Sequence, residues 1–254
     1  MARVRTVLVI GIGAGDPEHL TLQAIRSLRR ADVFLVTEQT KAGRDLAAVR
    51  EQMIAEHARP GHRVVELLDP PRDRTDPAYA AAVDRWRLAR AELWGATLRA
   101  EVPEGGTAAF LVWGDPALYD STIWVLDQLR ASGLELAMEV VPGISSISAL
   151  AAAHAIPLNR VGEPFVVTTG RRVAEGRHDD DGDVVVMLDA QHAFIRASDD
   201  TDVYWGAYVG TADELLVAGP VREVEEEIQR VRAEARARKG WIMDVYVLRR
   251  RSAE

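Results

Sequence analysis

The segment that most restricts the fold covers residues 7–24, VLVIGIGAGDPEHLTLQA, because a buried strand, a glycine turn and a helix start follow one another within it. Residues 7–10 are an unbroken aliphatic run, which is typical of a central strand in a parallel sheet covered on both faces. Gly11, Gly13 and Gly15 then allow positive φ angles and the close approach of a ligand to the backbone. A helix is predicted to begin at Thr21, where an apolar-periodic segment starts.

A dinucleotide site is disfavoured at this turn. The dinucleotide fingerprint G-x-G-x-x-G ends in a glycine that lets the helix pack closely against the strand, whereas Asp16 occupies that position here. The Asp16 carboxylate would repel a pyrophosphate. The turn therefore suits a neutral or cationic ligand, or it shapes the floor of a cleft at the carboxyl ends of the strands, and a tight turn without a ligand is the alternative.

Strand and helix patterns predict two domains. Five strands alternate with helices at residues 7–10, 31–36, 63–68, 107–113 and 136–141, which is typical of a parallel α/β sheet. Further strands, with fewer helices between them, are predicted at residues 165–169, 183–188, 201–209, 214–217 and 241–248. The predicted fold class is thus α/β, with an N-terminal parallel α/β domain over residues 1–141 and a C-terminal α+β domain with a mixed sheet over residues 142–254.

Two helices are predicted with clear charge patterns. The helix over residues 221–239 has acidic residues early and basic residues late, and Gly240 follows it as a natural end. That order complements the helix dipole, so stability explains it without a partner. The arginines at 85, 87, 90 and 99 of a helix over residues 77–100 are predicted to face solvent.

Polar residues and glycines also follow other predicted strands. A second Gly-Asp-Pro triplet lies at residues 114–116, PGISS lies at residues 142–146, and Glu38 follows the second strand. Polar groups at such strand ends face the ligand crevice of open α/β sheets. Ser145 and Ser146 could cap the next helix or contact a ligand, and the sequence leaves both roles open.

Composition excludes several classes of function. The 254 residues contain no cysteine, which excludes disulfides, thiol nucleophiles and cysteine-ligated metals. The net charge of -8 argues against a nucleic-acid surface. The histidines lack ligand spacing and the acidic run at residues 178–183 lacks calcium-loop spacing, so no metal is predicted. Without a convincing signal peptide or an apolar run of about 20 residues, a cytoplasmic protein with no membrane segment is expected.

Three loops together, GIGAGDPEHLT, WGDPALYDS and VPGISS, resemble the tetrapyrrole methylase family of S-adenosylmethionine-dependent C-methyltransferases. The resemblance covers residues 7–248 and implies a homodimer whose chains have two domains with the cofactor in a cleft between them. Five further stretches resemble the family members that methylate precorrin-5 at ring carbon C-1 and release acetate in the aerobic cobalamin pathway: LVWGDPALYDST at 111–122, TTGRR at 168–172, VVVMLDA at 184–190, YWGAYVGT at 204–211 and ARARKGWIMD at 235–244.

The resemblance also implies roles for individual residues. Leu188 lies where other members often have a methionine beside the adenine, and residues 114–116 match the loop against the methionine end of the cofactor. The implied cofactor-binding residues are Pro17, Gly114, Asp115, Pro116, Tyr119, Ser145, Ser146, Leu188, Trp205 and Gly206.

Loss of a two-carbon acyl group requires a base for water and a donor for the developing oxyanion. The candidates are Asp16, Tyr119 and Glu38, with Asp115 as a further carboxylate. A polycarboxylate substrate also requires cationic partners, for which the candidates are Arg171, Arg172, Lys41 and Arg160.

Two other functions stay open at the level of sequence. One keeps the fold and the cofactor but methylates another precorrin carbon or a macromolecule such as rRNA or diphthamide. The other is a non-catalytic protein that binds S-adenosylmethionine or a nucleotide and turns nothing over.

Overall fold

The computed structural model describes residues 3–37, 41–71, 79–176 and 182–251, with residues 41–45 and 79–80 described by their backbone alone. The chain divides into two compact units. The N-terminal unit takes the residues up to Gly13 together with Pro17–Ile144. The C-terminal unit takes Ala14–Asp16 and the chain from Ser145 onward.

The N-terminal unit is built on a five-stranded parallel sheet, as the alternating pattern predicts. The strands lie in the order β3-β2-β4-β1-β5. Their bounds are β1 Arg5–Gly11, β2 Val33–Thr37, β3 Arg63–Leu67, β4 Thr107–Val112 and β5 Leu136–Val141. The helices are α1 Leu22–Leu28, α2 Lys41–His57, α3 Tyr79–Glu101 and α4 Thr122–Ala131.

Strand β1 is covered on both faces, which is why its sequence shows no polar alternation. Val7, Leu8, Val9 and Ile10 are all fully buried. Val7 and Val9 belong to one apolar cluster of the unit, and Leu8 and Ile10 belong to another. The sheet therefore has a core on each side, and β1 lies between β4 and β5.

The C-terminal unit contains a five-stranded mixed sheet in the order β6-β7-β10-β8-β9. Strands β6 and β7 are parallel, whereas β10 pairs antiparallel with both β7 and β8, and β8 pairs antiparallel with β9. The bounds are α5 Ser146–Ala153, β6 Phe165–Thr169, α6 Gly170–Ala174, β7 Asp183–Met187, β8 Thr201–Ala207, β9 Leu215–Pro220, α7 Val221–Lys239 and β10 Asp244–Arg250.

Helix α7 has the bounds that its charge order and closing glycine predict. Gly240 takes the left-handed conformation with a φ of 79°, and its N–H donates to the Arg236 carbonyl at 2.7 Å. This is the usual way in which a glycine ends a helix. The one-turn helix α6 was not predicted, because five residues are too few to show a helical period.

None of the helices within the described residues is both long enough and apolar enough to cross a membrane.

Candidate active site

The loops that follow β4, β1 and β5 begin side by side, because these strands are neighbours in a parallel sheet. The first two of these loops are directly paired. Gly114 donates its N–H to the Gly13 carbonyl at 2.8 Å, and Gly13 donates to the Gly114 carbonyl at 3.3 Å. The first and second loops are therefore hydrogen-bonded to each other, two residues before the first Gly-Asp-Pro triplet and at the first residue of the second.

Glycines at the start of the three loops pack backbone against backbone. A Cβ on Gly11 would lie 2.6 Å from the Gly143 nitrogen and 2.9 Å from the Gly114 oxygen. A Cβ on Gly143 would lie 2.9 Å from the Gly11 Cα and closer still to the Gly114 oxygen. Side chains are excluded here because neighbouring loops occupy the space, a close approach that the sequence analysis had assigned to a ligand.

Asp115 ties the second loop to the third. One carboxylate oxygen accepts a hydrogen bond from the Ala117 N–H at 2.7 Å, and the other accepts from the Gly143 N–H at 2.9 Å. Because both oxygens accept backbone hydrogen bonds, Asp115 orders the loops rather than offering a free base.

Tyr119 lies at the tip of the loop between β4 and α4. Its side chain is 49% exposed and its φ is 52°, a conformation in which residues other than glycine are uncommon. The Asp120 carboxylate accepts from the Thr122 N–H at 2.7 Å, and the Ser121 hydroxyl accepts from Arg90 at 2.8 Å. On the other side of Tyr119, the Leu118 N–H donates to the Asp115 carbonyl at 3.2 Å, so the loop exposes a tyrosine between two hydrogen-bonded segments.

Arg90 corrects the prediction that the arginines of α3 face solvent. It is 8% exposed and lies 4.5 Å from the ring centres of both Trp86 and Trp94. Its Nε donates to Asp69 at 2.9 Å, and its Nη1 reaches Ser121. Flanking tryptophans and a carboxylate let a guanidinium be buried, since each removes part of the cost of leaving water.

In the first loop, Asp16 is half-buried and Pro17 is exposed at the start of the 3-10 turn Pro17–His19. The helix predicted to begin at Thr21 begins one residue later, at Leu22, and Thr21 caps it, because its hydroxyl accepts from the Ala24 N–H at 3.0 Å. Of the remaining catalytic candidates, Glu38 lies outside the described residues.

The paired serines belong to the C-terminal unit. Ser145 caps α5, since its hydroxyl accepts from the Ser148 N–H at 3.2 Å, and Ser146 is the first residue of that helix. Both are half-buried.

The residues implied for the adenosine side differ in exposure. Leu188, directly after β7, is 63% exposed and has a φ of 55°. Trp205 is fully buried, and its indole N–H donates to Asp244 at 3.2 Å, so this ring is part of the core. Gly206 is buried as well, and a Cβ there would lie 2.6 Å from a methyl of Leu150.

A buried polar network, which the sequence analysis did not anticipate, lies beneath the Leu188 turn. We call it the Asp189 network, and it comprises Asp189, His192, Arg232, Asp244 and Tyr246. Asp189 is 4% exposed and accepts hydrogen bonds from the N–H groups of Gln191 at 2.8 Å and Ala193 at 2.6 Å and from the Tyr246 hydroxyl at 2.7 Å.

Arg232 connects the other members of this network. It is 4% exposed, and its guanidinium donates to the Asp244 carboxylate at 2.8 Å, the His192 Nε2 at 2.6 Å and the Asp189 carbonyl at 2.7 Å. Because His192 accepts through Nε2, its ring proton is on Nδ1.

Burial changes the proton affinities within the network. It lowers the pKa of His192, and the adjacent Arg232 guanidinium lowers it further. Burial raises the pKa of Asp244, although the hydrogen bond from Arg232 opposes that change. The pKa of Tyr246 is raised by burial and by the Asp189 carboxylate, so the phenol stays a hydrogen-bond donor.

The basic candidates for substrate binding fall into three groups. Arg171 and Arg172 are exposed on α6. Arg160 lies 3.7 Å from the Asp183 carboxylate and donates to the Arg250 carbonyl, so its guanidinium already has partners in its own unit. Lys41 is the first residue of α2, and its side chain is outside the described atoms. Among the described residues, no three or more His, Asp or Glu side chains form a group able to hold a metal ion.

Comparison with known proteins gives consistent matches. The model of the tetrapyrrole (corrin/porphyrin) methylases matches residues 6–225. Precorrin-6A synthase [deacetylating] of a Sinorhizobium species is 46% identical over 252 residues, which covers 98% of this chain and 97% of that protein. The crystal structure of a cobalamin synthesis related protein (CobF) from Corynebacterium diphtheriae superposes with a TM-score of 0.83 at 38% identity, over 97% of this chain and 99% of that one.

A more distant solved structure has the same fold. The uroporphyrin-III C-methyltransferase of Thermus thermophilus, in complex with S-adenosylhomocysteine, superposes with a TM-score of 0.60 at 22% identity, over 96% of this chain and 91% of that one.

Proposed function

The chain belongs to the tetrapyrrole (corrin/porphyrin) methylase family, and from that membership we propose that it is an S-adenosylmethionine-dependent C-methyltransferase of cobalamin biosynthesis. It methylates precorrin-5 at C-1 and releases acetate, the reaction of precorrin-6A synthases of the deacetylating type. The observation that carries this proposal is the 46% identity to such an enzyme over 98% of the chain.

The chain has residues that fit S-adenosylmethionine, which when bound supplies an electrophilic methyl group on a sulfonium. Leu188 presents an exposed apolar side chain, suited to one face of an adenine ring. The ordered turn at Gly114 and the half-buried hydroxyls of Ser145 and Ser146 are the groups we assign to the rest of the molecule. No covalent nucleophile is needed, because the protein mainly has to align the reacting carbon and exclude water.

Removal of the acyl group requires proton transfer and charge stabilisation. Attack by water on the acyl carbonyl breaks the bond to C-1, and the electron pair released to C-1 forms the new bond to the methyl group. A base must take the proton from water, and a donor must stabilise the oxyanion. We assign the base to Asp16 and the donor to Tyr119, whose side chain is half exposed on an ordered loop.

Carboxylates of the substrate require cationic partners. Arg171 and Arg172 are the best candidates, because both are exposed and guanidinium groups bind carboxylates in a bidentate manner. Arg160 is a weaker candidate, since it already pairs with Asp183.

The test is an incubation of the purified chain with precorrin-5 and S-adenosylmethionine labelled in the methyl group. Labelled precorrin-6A together with one equivalent of free acetate supports the proposal. A methylated product without acetate would point to another carbon, and transfer only to rRNA or to a diphthamide precursor would point to a macromolecular acceptor. Tight cofactor binding with no transfer would indicate a non-catalytic binder, and each of these three results overturns the proposal.

Two variants test the assigned roles. Tyr119→Phe and Asp16→Asn should each lower kcat by about 100-fold, the usual effect of removing one acid–base or oxyanion group, with the KM for S-adenosylmethionine little changed. Equal loss in an Asp115→Asn variant, together with a lowered midpoint of thermal unfolding, would fit its role as an anchor of the loops. A Tyr119→Phe variant with unchanged kcat would contradict the role of the hydroxyl.

Three further features are proposed from the family resemblance. The first is a domain boundary near residue 141, with residues of both predicted domains contributing to one site. The second is a homodimer, and the third is a cytoplasmic location. Sedimentation or light scattering at working concentration tests the dimer, and fractionation of the producing cell tests the location.

A further inference from the structure

The turn after β7 combines an exposed apolar residue with an unusual backbone. Leu188 is 63% exposed at a φ of 55°, and His192, four residues later, also has a φ of 55°. Residues other than glycine are uncommon in this region and persist there only where the surroundings impose the conformation. Backbone conformations of this kind cluster at functional sites.

Asp189 orders the backbone that directly follows Leu188. Its buried carboxylate accepts from the N–H groups of Gln191 and Ala193, which brings the chain back over itself immediately after Leu188. Tyr246, on the central strand β10, donates to the same carboxylate at 2.7 Å. The turn is thereby fastened to the middle of the sheet.

A second set of contacts holds the backbone of the turn. Arg232 of α7 donates to the Asp189 carbonyl and to His192, and it is itself held by the Asp244 carboxylate. Gly170, the first residue of α6, lies against the other side, since a Cβ there would be 2.6 Å from the Asp189 Cβ and closer still to its carboxylate.

Three separate elements of the C-terminal unit, α6, α7 and β10, therefore converge on one aspartate, although the side chain that this arrangement exposes is an ordinary leucine. A rigid, exposed apolar side chain suits one face of a flat heteroaromatic ring. We propose that Asp189 is a positioning residue that holds Leu188 against the adenine ring of the cofactor, with Tyr246 as its buried support. This inference rests on the proposed function, which supplies S-adenosylmethionine as the ligand.

The main test compares two buried aspartates at opposite ends of β7. Asp189→Asn places an amide N–H₂ against at least one backbone N–H of the turn. The dissociation constant for S-adenosylhomocysteine, measured by calorimetry, should rise about tenfold, as expected for losing one hydrogen bond to a charged group. The KM for S-adenosylmethionine should rise in parallel, while kcat at saturating cofactor and the KM for precorrin-5 stay within about twofold.

Asp183→Asn is the matched control. Asp183 is 3% exposed at the first residue of β7 and pairs with Arg249 at 2.6 Å, so its loss should lower the midpoint of thermal unfolding in a similar way. The affinity of the Asp183→Asn variant for S-adenosylhomocysteine should match that of the unaltered chain. Equal weakening in both variants would overturn the positioning role, because it would show a general effect of lost stability.

Two milder variants keep the inference testable if Asp189→Asn does not fold. Tyr246→Phe removes one donor and leaves both backbone hydrogen bonds, so we expect a dissociation constant raised about threefold. Leu188→Ala keeps the network and removes the proposed contact, and it should weaken binding by about tenfold. Unchanged binding in folded Leu188→Ala would overturn the inference.

Failure of this inference differs from failure of the proposed function. If the unaltered chain binds no S-adenosylhomocysteine, the proposed function falls, and the positioning role falls with it. If the unaltered chain binds but folded Asp189→Asn binds equally well, only the positioning role is overturned.

Discussion

The turns at Tyr119 and Leu188 each expose a large side chain on a left-handed backbone, and they are held in different ways. Tyr119 lies in a loop of the N-terminal unit with a φ of 52°, and Leu188 lies in the C-terminal unit with a φ of 55°. The starts of the loops around the first are fitted together by glycines and backbone hydrogen bonds, with the Asp115 carboxylate bound to backbone N–H groups. The second rests on a buried network of charged side chains.

The difference shows where each region is vulnerable. The packed glycines leave no room for an added Cβ, and they have no side chain that gains or loses a proton. A buried network depends on every charge having its partner, because an unpaired buried charge is costly. Steric exclusion should therefore govern how the glycine-packed starts of the N-terminal loops respond to substitution, and charge and pH should govern the stability of the Leu188 turn.

The largest effect is expected from Arg232→Met. This change leaves the Asp244 carboxylate and the Asp189 carbonyl buried without their main donor. We expect the free energy of unfolding, measured in urea, to fall by about 4 kcal/mol, within the range for breaking a buried ion pair. Arg90→Met is the matched change in the N-terminal unit and should cost about half as much, since methionine still packs between the two indoles. Equal costs would contradict the comparison.

Gly143→Ala should come next, with a loss of about 3 kcal/mol from overpacking. The added Cβ would meet backbone atoms of Gly11 and Gly114, which cannot move without shifting two strands. Gly95→Ala in α3 is the control, because there the Cβ meets a methyl of Leu129 that can rotate away, and alanine favours a helix. If the Gly143→Ala chain were as stable as the unaltered protein, the claim that backbone packing excludes a Cβ at Gly143 would be wrong.

A smaller effect is expected from the pH dependence of His192. Its pKa in the folded state is lowered, so as the pH falls below the ordinary value of 6.5 the unfolded chain takes up a proton before the folded chain does. The free energy of unfolding should therefore fall with decreasing pH through this window. In His192→Asn, which suits a positive φ, that part of the slope should vanish. Urea unfolding on both sides of pH 6.5 measures it, and identical slopes would contradict the prediction.

The smallest effect is expected at a surface pair. Arg30 donates to both oxygens of Glu139, at 2.7 and 2.8 Å, but about half of each side chain is exposed. Arg30→Gln should cost less than about 1 kcal/mol. Arg30 lowers the pKa of Glu139, so the contribution is present above the ordinary value of 4.5 and is lost as the pH falls through the folded value. A cost equal to that of Arg232→Met would show that burial does not set the energy.

Much of the fold was predictable because it is encoded locally. The aliphatic run of β1, the alternation of strands with helices and the order of charges in α7 each describe a few consecutive residues. The periodicity of their apolar and charged residues indicates whether the backbone is extended or helical. The parallel sheet and the mixed sheet follow from those patterns, as does the end of α7 at Gly240.

The site was predictable only in part. The loops themselves could be found, because glycine and proline mark strand ends, and Ser145 could be named as a helix cap. The roles of Asp115 and Asp189 could not be foreseen, since Asp115 bonds to a residue 28 positions away and Asp189 to one 57 positions away. In the sequence the Gly-Asp-Pro triplet marks Asp115 but not its partner Gly143, Asp189 resembles any polar loop residue, and Arg90 resembles any arginine of a solvated helix.

The amino-acid sequence alone determined the strands, the helices, the glycine turns and the likeness to a methylase family, since each depends on neighbouring residues or on a short motif. Only the tertiary structure decided which charged groups are buried and which residues hold Tyr119 and Leu188 in position. The physical reason is that burial of a side chain depends on residues brought together from distant parts of the chain, and the local periodicity of the sequence contains no information about those contacts.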